Sequence, residues 1–486
     1  MSDELFIGID LGTSGIKVIV ADSDDRLIAS ADRKVPTKRL RDGWNEQNAN
    51  HWWVAVVECM DELAQRKEIM ERVRGLSLSG QMLGPVLIDK NDNPVRDVIL
   101  WNDARSVDEC EELLALVPDI GMRTNCTPDP GVVAPKLRWL HKYEPHIVEQ
   151  ADCLLLPKDF IRLKLTGQRM TEPSDAGGTM LMECSTSKWS EELCAAANWS
   201  IDRLPPVVWS WEPAGELLSE LSQRFNLHPA LPVAAGAGDN MACSVGVGAS
   251  RPGDCVVTIG TSGVICTTSS QFTPLPEVAF LTSHHASPDM FLSMGVVMSA
   301  TASFDWLASL TGHTAETLSL EIDRLYQCGQ AFDSPVCAPW LNGNRTPHNK
   351  PEARGKFSRI GLNTTAGMLG WSIIEGVAFQ FRECFLAQQN AGLVTSSLSL
   401  VGGGANNLLW SKLIATLLEK PAALPVGRHL SACLGAARLA QVGAGFGAPE
   451  EVLSRKPEHE FLVEPDLDLS EGLLERYEQY SALSLS

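Results

Sequence analysis

The sequence predicts an α/β protein of two similar domains around a central cleft, and three observations carry that expectation. First, one phrase is written twice. Ile7-Gly8-Ile9-Asp10-Leu11-Gly12-Thr13-Ser14-Gly15-Ile16-Lys17-Val18 stands near the start, and Val256-Val257-Thr258-Ile259-Gly260-Thr261-Ser262-Gly263-Val264-Ile265-Cys266 stands midway. Both read as strand, Gly-Thr-Ser-Gly turn, strand. Second, the stretch before residue 106 has strand and helix patterns in a β-β-β-α-β-α layout. Third, the chain has 486 residues, 44% hydrophobic and 21% charged, enough for two sizeable cores.

In order along the chain, residues 5–31 form an antiparallel meander with an Asp-rich turn at Asp22, Asp24 and Asp25. Asn48 is an N-cap for a helix to about Arg66. Residues 73–79 are an apolar strand ending in Gly80-Gln81-Met82-Leu83-Gly84, and 86–89 are another strand. Asn102 or Asp103 is placed to cap the next helix. Residues 135–167 read as helical with breaks, and 174–179 as a polar Gly-rich loop. A short strand at 231–235 runs into Gly236-Ala237-Gly238-Asp239-Asn240 and a small-residue helix to about 248. The domain boundary falls near 235, giving 1–235 and 236–486. In the second half, 340–351 form a loop holding Arg345, and 371–388 a long helix. A strand at 398–401 ends in Gly402-Gly403-Gly404, and helices follow at 408–418 and 431–439. The acidic C-terminus reads as peripheral. The two small-residue helices read equally as a crossing pair between the domains or as tightly packed core.

Composition narrows the function. Forty basic against 60 acidic side chains leave a net charge of −20, which disfavours nucleic acid and anionic membrane as partners. No run approaches the apolar length of a transmembrane helix, and Met1-Ser2-Asp3-Glu4 lacks the basic start of a signal peptide. Thirteen cysteines, irregularly spaced and without Cys-x-x-Cys, read as buried reduced thiols in a cytoplasmic protein.

The chemistry concentrates at the glycines. Glycine lets the backbone close in on a ligand, and consecutive N–H groups and hydroxyls in such turns suit phosphate. No Gly-Lys-Ser/Thr follows, so neither turn is a Walker A loop. Gly443-Ala444-Gly445-Phe446-Gly447-Ala448 fits a dinucleotide pattern but follows a helix and runs into Pro449, so it reads as a helix stop. Asp10 interrupts an apolar strand, where an isolated carboxylate is costly. It either caps the following turn or orients hydrated Mg²⁺ beside phosphates. Asp239 opens a helix, as an N-cap, as a general base for a substrate hydroxyl, or as both. His284-His285 lack further ligands nearby and read as surface or core residues. Trp101, Trp340 and Trp371 could face a ligand ring, with core packing the favoured role.

These motifs together resemble the FGGY carbohydrate kinases, from about residue 5 to 445. The resemblance rests on the two glycine turns, Gly238-Asp239-Asn240 and Gly402-Gly403-Gly404. It extends to Gly43-Trp44-Asn45-Glu46-Gln47, Leu100-Trp101-Asn102-Asp103, Ala134-Pro135-Lys136-Leu137, Leu156-Pro157-Lys158-Asp159, Gly343-Asn344-Arg345-Thr346-Pro347-His348 and Leu434-Gly435-Ala436-Ala437-Arg438. It implies two actin-like (ribonuclease H-like) domains, with sugar on the first and ATP across the cleft. It implies Asp239 as base and Asp10 tied to a magnesium-phosphate assembly. Gly12, Thr13 and Ser14 would meet the transferred phosphate, Gly260 and Thr261 the other phosphates, and Gly403, Gly404 and Asn407 the nucleoside. Gln81, Met82, Leu83, Trp101, Asp239 and Asn240 would line the sugar site. The substrate implied is a ketopentose, D-xylulose first, phosphorylated at its terminal hydroxyl. A homodimer is compatible with the family, though no interface signal stands out here.

One departure matters. Within the family's ketopentose kinases the pattern is Gly-Gln-Met-His-Gly, and here Leu83 replaces the histidine. Losing a polar partner for a sugar hydroxyl costs roughly 1–3 kcal/mol. Either another group such as Gln81 compensates, or the preferred substrate is another ketose or polyol. The reading from a different class is an actin-like ATP-driven binding protein that uses the same turns without a sugar.

Overall fold

The computed structural model describes residues 4–124 and 126–485. In the first half, β1 (Leu5–Gly12) and β2 (Gly15–Asp22) pair antiparallel with Gly12 opposite Gly15, so Thr13 and Ser14 form a two-residue tip. Residues Leu5–Ile9 and Leu11 are buried, which suits a strand covered on both faces. Strand β3 (Leu27–Lys34) continues the meander beside β2, and β4 (Val73–Gly80) runs parallel to β1 on its other side. Strand β5 (Pro213–Glu216) pairs antiparallel with β6 (Pro232–Ala234), which lies parallel to β4. A short β7 (Ala237–Gly238) also pairs with β4, so the first sheet extends to Gly238.

The second sheet repeats the plan. Strands β8 (Asp254–Ile259) and β9 (Gly263–Ser269) form its central hairpin, with Ile259 opposite Gly263 and a three-residue tip, Gly260-Thr261-Ser262. Strands β10 (Leu281–His284), β11 (Phe291–Val297), β12 (Ser397–Val401), β13 (Ala422–Pro425) and β14 (His459–Val463) complete the order β10-β11-β9-β8-β12-β13-β14. Six strands match in neighbour and sense: β3-β2-β1-β4-β6-β5 against β11-β9-β8-β12-β13-β14. The last antiparallel strand precedes its neighbour in the first half and follows it in the second.

Helix α1 (Ala49–Ala64) starts at Asn48, whose side chain accepts from Asn50 N, and packs on β2 and β3. The helix expected after Asn102-Asp103 begins only at Val107. Asp103 is instead drawn away by Asn45 N (2.7 Å) and by Arg105, which lies against the Trp44 ring. Helix α2 is Pro157–Thr166, and α3 is Asp239–Gly246. Thr301–Leu310 forms α4, Ala366–Asn390 the 25-residue α5, and Leu408–Leu418 α6. Helix α7 (Ser431–Gly443) crosses α3 as the pair its small residues allowed. A Cβ on Gly435 would run into the Ala242 carbonyl, and one on Gly246 into the Ser431 carbonyl. Helix α7 also covers the first sheet: Gly8 of β1 has the Cys433 carbonyl where a side chain would be, and Gly75 of β4 has that of Ala440.

Helix α8 (Leu467–Leu485) corrects the expectation of a peripheral C-terminus. Its Leu473, Arg476 and Tyr480 are buried in the core of the second half. Arg476 pairs with Glu375 of α5 through Nε (2.6 Å) and Nη2 (2.7 Å), and it donates to the carbonyls of Phe332, Ser334 and Pro335. Tyr480 donates to Glu383. Among the described residues no helix is long and apolar enough to cross a membrane.

Candidate active site

Strand β1 delivers Asp10 to the first glycine tip, and β7 delivers Asp239 to the start of α3. Ser79 Oγ, on neighbouring β4, donates to Asp10 Oδ1 at 2.8 Å. Burial nevertheless holds the Asp10 carboxyl above its ordinary range, against the pull of that hydrogen bond and of Lys17. The Asp239 carboxyl is pushed up to about 7, first by burial, then by the negative charge of Asp10. The two acids therefore share one electrostatic site. Asn240 donates from its backbone N (2.8 Å) and Nδ2 (2.9 Å), both to Asp239 Oδ1. Among the described residues no donor reaches Oδ2, which leaves that oxygen to accept a proton.

The strand before Asp239 is braced from below. Arg162 of α2 donates to the Ala235 carbonyl, and Ser174 Oγ accepts from Gly238 N. Residues 174–179 correct the expectation of a polar loop: they are buried and helical, in an α-helical turn over Pro173–Ala176 and a 3₁₀ turn over Gly177–Thr179. Beside it, Lys158 meets Asp159, Glu172 and Asp175 at 2.9–3.1 Å, all fully buried. Burial first, and then the negative charges of Asp159 and Glu172, push the Asp175 carboxyl up to about 8 against the pull of Lys158.

At the first tip, Trp101 Nε1 donates to Thr13 Oγ1 (3.0 Å), and Thr13 Oγ1 donates to Gln81 Oε1 (3.1 Å). Gln81 Nε2 donates to Gln47 Oε1 (2.9 Å), and Gln47 Nε2 donates to the Thr13 carbonyl (2.7 Å). Gln81 thus commits its oxygen and one amide hydrogen to the tip and, being buried, is poorly placed to stand in for a missing histidine. Gln47 was visible in the sequence only as part of a motif. Its partners come from distant segments, so no local spacing could mark it.

Met82 packs on Gly238, directly before Asp239. Leu83 has φ of 69°, and its side chain, 7% exposed, lies against Gly178. Its carbonyl accepts from buried Lys136 Nζ (2.8 Å), which also donates to the Gly131 carbonyl (2.6 Å). Burial lowers the Lys136 ammonium to about 7. Position 83 thus contributes a small apolar edge.

The second tip is closed by Gly260 N donating to the Ser262 carbonyl. Its Gly260 and Thr261 carbonyls accept from Thr301 N (3.0 Å) and Ala300 N (2.9 Å), fastening it to the start of α4. Ser14 and Thr261 are exposed at their tips. Gly403 faces open space, whereas Gly404 is pressed on Ile259 and has no room for a Cβ. Asn407 Oδ1 caps α6 by accepting from Trp410 N (3.0 Å), and among the described residues its Nδ2 has no hydrogen-bond partner. Trp340 and Trp371 are core residues of the second half, and Trp101 alone of the three reaches the site. His284 and His285 are buried, and no group of three metal-ligating side chains occurs among the described residues. Magnesium fits such a site only as a hydrated ion held by one or two carboxylates and substrate phosphates, a mode this acid pair can serve.

Comparison with known proteins places this geometry. Residues 5–246 match the N-terminal domain of the FGGY family of carbohydrate kinases, and residues 255–444 match its C-terminal domain. The chain is 35% identical to the xylulose kinase of Escherichia coli K12 over 98% of this chain and 96% of that protein. A xyloylose kinase from Brucella ovis superposes with a TM-score of 0.92 at 36% identity, covering 99% of this chain and 98% of that one. The xylulose kinase of Rhodospirillum rubrum gives 0.88 at 25% identity, covering 99% and 98%. The repeated sheet is the two-domain actin-like plan of these kinases, and the chain belongs to the FGGY family of carbohydrate kinases.

Proposed function

We propose that the chain transfers the γ-phosphoryl group of ATP to the terminal hydroxyl of D-xylulose, giving D-xylulose 5-phosphate. The observation that carries the reading is Asp239, raised toward neutrality and with Oδ2 open, beside Asp10 and the first glycine tip. Asp239 Oδ2 takes the hydroxyl proton as the oxygen attacks phosphorus in line. The N–H groups of the Thr13-Ser14 tip receive the transferred phosphoryl oxygens, and the Gly260-Thr261 tip the remaining phosphates. Gly403, Gly404 and Asn407 form the nucleoside floor. Asp10 would hold Mg²⁺ through water, and the ion would neutralise phosphate charge. Sugar belongs to the first half, against Met82, Leu83, Trp101 and Asn240, and nucleotide to the second.

Leu83 favours a second reading, in which another ketose or a polyol is preferred. Membership in a carbohydrate kinase family leaves a sugar-independent binding protein without support. ADP release with ATP and Mg²⁺ against ketopentoses, ketohexoses and polyols separates these readings. Strong stimulation by D-xylulose is expected. Stimulation by another sugar alone would move the substrate, and equal turnover without sugar would sink the reading.

A further inference from the structure

We propose that Gln47 is a positioning residue for phosphoryl transfer, holding the Thr13 tip through a hydrogen-bond chain whose direction is fixed by two indoles. The proposal rests on the reading that Thr13 lies beside the transferred phosphate. An indole N–H can only donate. Trp52 Nε1 donates to one Gln47 terminal atom at 2.9 Å, so that atom is the oxygen. Gln47 Nε2 then faces the Thr13 carbonyl (2.7 Å) and Thr37 Oγ1 (2.9 Å). The same Gln47 oxygen accepts from Gln81 Nε2, so Gln81 Oε1 faces Thr13 Oγ1. Trp101 Nε1 donates to that hydroxyl, which must send its own hydrogen to Gln81.

Two consequences follow. Thr13 is gripped at both its carbonyl and its hydroxyl: Gln47 holds the carbonyl directly and orients Gln81 on the hydroxyl, which Trp101 also holds. Its hydroxyl hydrogen is already committed, so Thr13 itself offers phosphate no side-chain donor and the backbone N–H groups of the tip take that part. The direction of the Ser14 N–H depends on the plane of the Thr13–Ser14 peptide, whose carbonyl Gln47 holds. Gln47 is fully buried with all four hydrogen-bonding positions filled, and it touches no reacting atom.

Gln47→Glu tests this with little change of shape. Protonated, the new carboxyl can still donate to the Thr13 carbonyl. Ionised, it sets negative charge against that oxygen and releases the tip. Burial raises the carboxyl's pKa and brings the switch toward the assay range. None of the four partners, Thr13, Thr37, Trp52 and Gln81, titrates there, so the native residue has no such switch.

Turnover is read as the ratio of variant to parent kcat from pH 6 to 8.5, with a thermal melt at each pH to count folded enzyme. Gln47→Glu is expected near parent kcat at pH 6 and at least tenfold lower at pH 8.5, with both KM values within threefold. Gln47→Leu, with no donor, should lose at least tenfold at every pH. Ratios within twofold throughout for folded enzyme, or a Gln47→Glu loss independent of pH, would overturn the proposal. If neither variant folds, Thr37→Val decides: an approximately threefold lower kcat with unchanged KM supports it, and an unchanged kcat refutes it. Asp239→Asn, run alongside, separates the two readings. Near-normal turnover there sinks the site assignment itself, whereas an inactive Asp239→Asn with normal Gln47 variants sinks only the role of Gln47.

Discussion

Asp239 carries the sharpest residue-scale expectation, because its carboxyl is pushed up to about 7 rather than left near 3.8. Protonated, it cannot accept the hydroxyl proton, so activity is present above about pH 7 and lost as pH falls through it. The acid limb of kcat/KM for sugar in the free enzyme should therefore lie near 7. A limb near 4 would show that Asp239 is not the titrating base. Asp239→Asn should lower kcat by roughly 10²–10⁴-fold, the usual worth of a general base, with an unchanged melting temperature. Leu83 makes the second prediction. Histidine tolerates positive φ better than leucine, so Leu83→His should fold and should improve or broaden ketopentose use. Identical kinetics would show that position 83 does not touch the sugar. Both acids and the apolar residue were legible because each interrupts a local pattern: Asp10 an apolar strand, Asp239 a glycine run, Leu83 a family motif. Gln47 was not, because nothing beside it in sequence announces Trp52, Thr37 and Thr13 together.

Among elements, the α3–α7 crossing turns small residues into contact between backbones. Gly435→Ala would force a methyl into the Ala242 carbonyl, and overpacking of this kind costs about 1–3 kcal/mol. The melting temperature should fall and turnover should fall with it. A variant as stable as the parent would mean that the helices separate freely. Composition raised this crossing as one of two equal readings, since glycine and alanine permit close approach without saying to what. Helix α8 was misread for a related reason. Leu473, Arg476 and Tyr480 fall on one face of an otherwise acidic helix, and a single buried arginine resembles a surface residue until its partner Glu375 is known.

Across the whole molecule, the repeat of the glycine phrase was a sound guide, because each copy is the central hairpin of a sheet with the same neighbours and sense. The tips themselves differ, two residues against three, so the halves share a plan while presenting different donors. Arg476 shows how the second half is held shut. Arg476→Met would leave Glu375 buried without its ion partner, a change that costs roughly 3–5 kcal/mol. Melting should show early loss of the second half, and an unaltered melt would mean Glu375 is satisfied elsewhere. The cover that α7 places on the first sheet has a consequence for biosynthesis. Phe6, Ile19 and Ala21 form one buried cluster with Cys433, Ala437 and Ala440. A ribosome must add some four hundred further residues after Phe6 before that cover exists. Throughout that interval the nascent chain carries an open apolar sheet face, a standing invitation to chaperones or to aggregation.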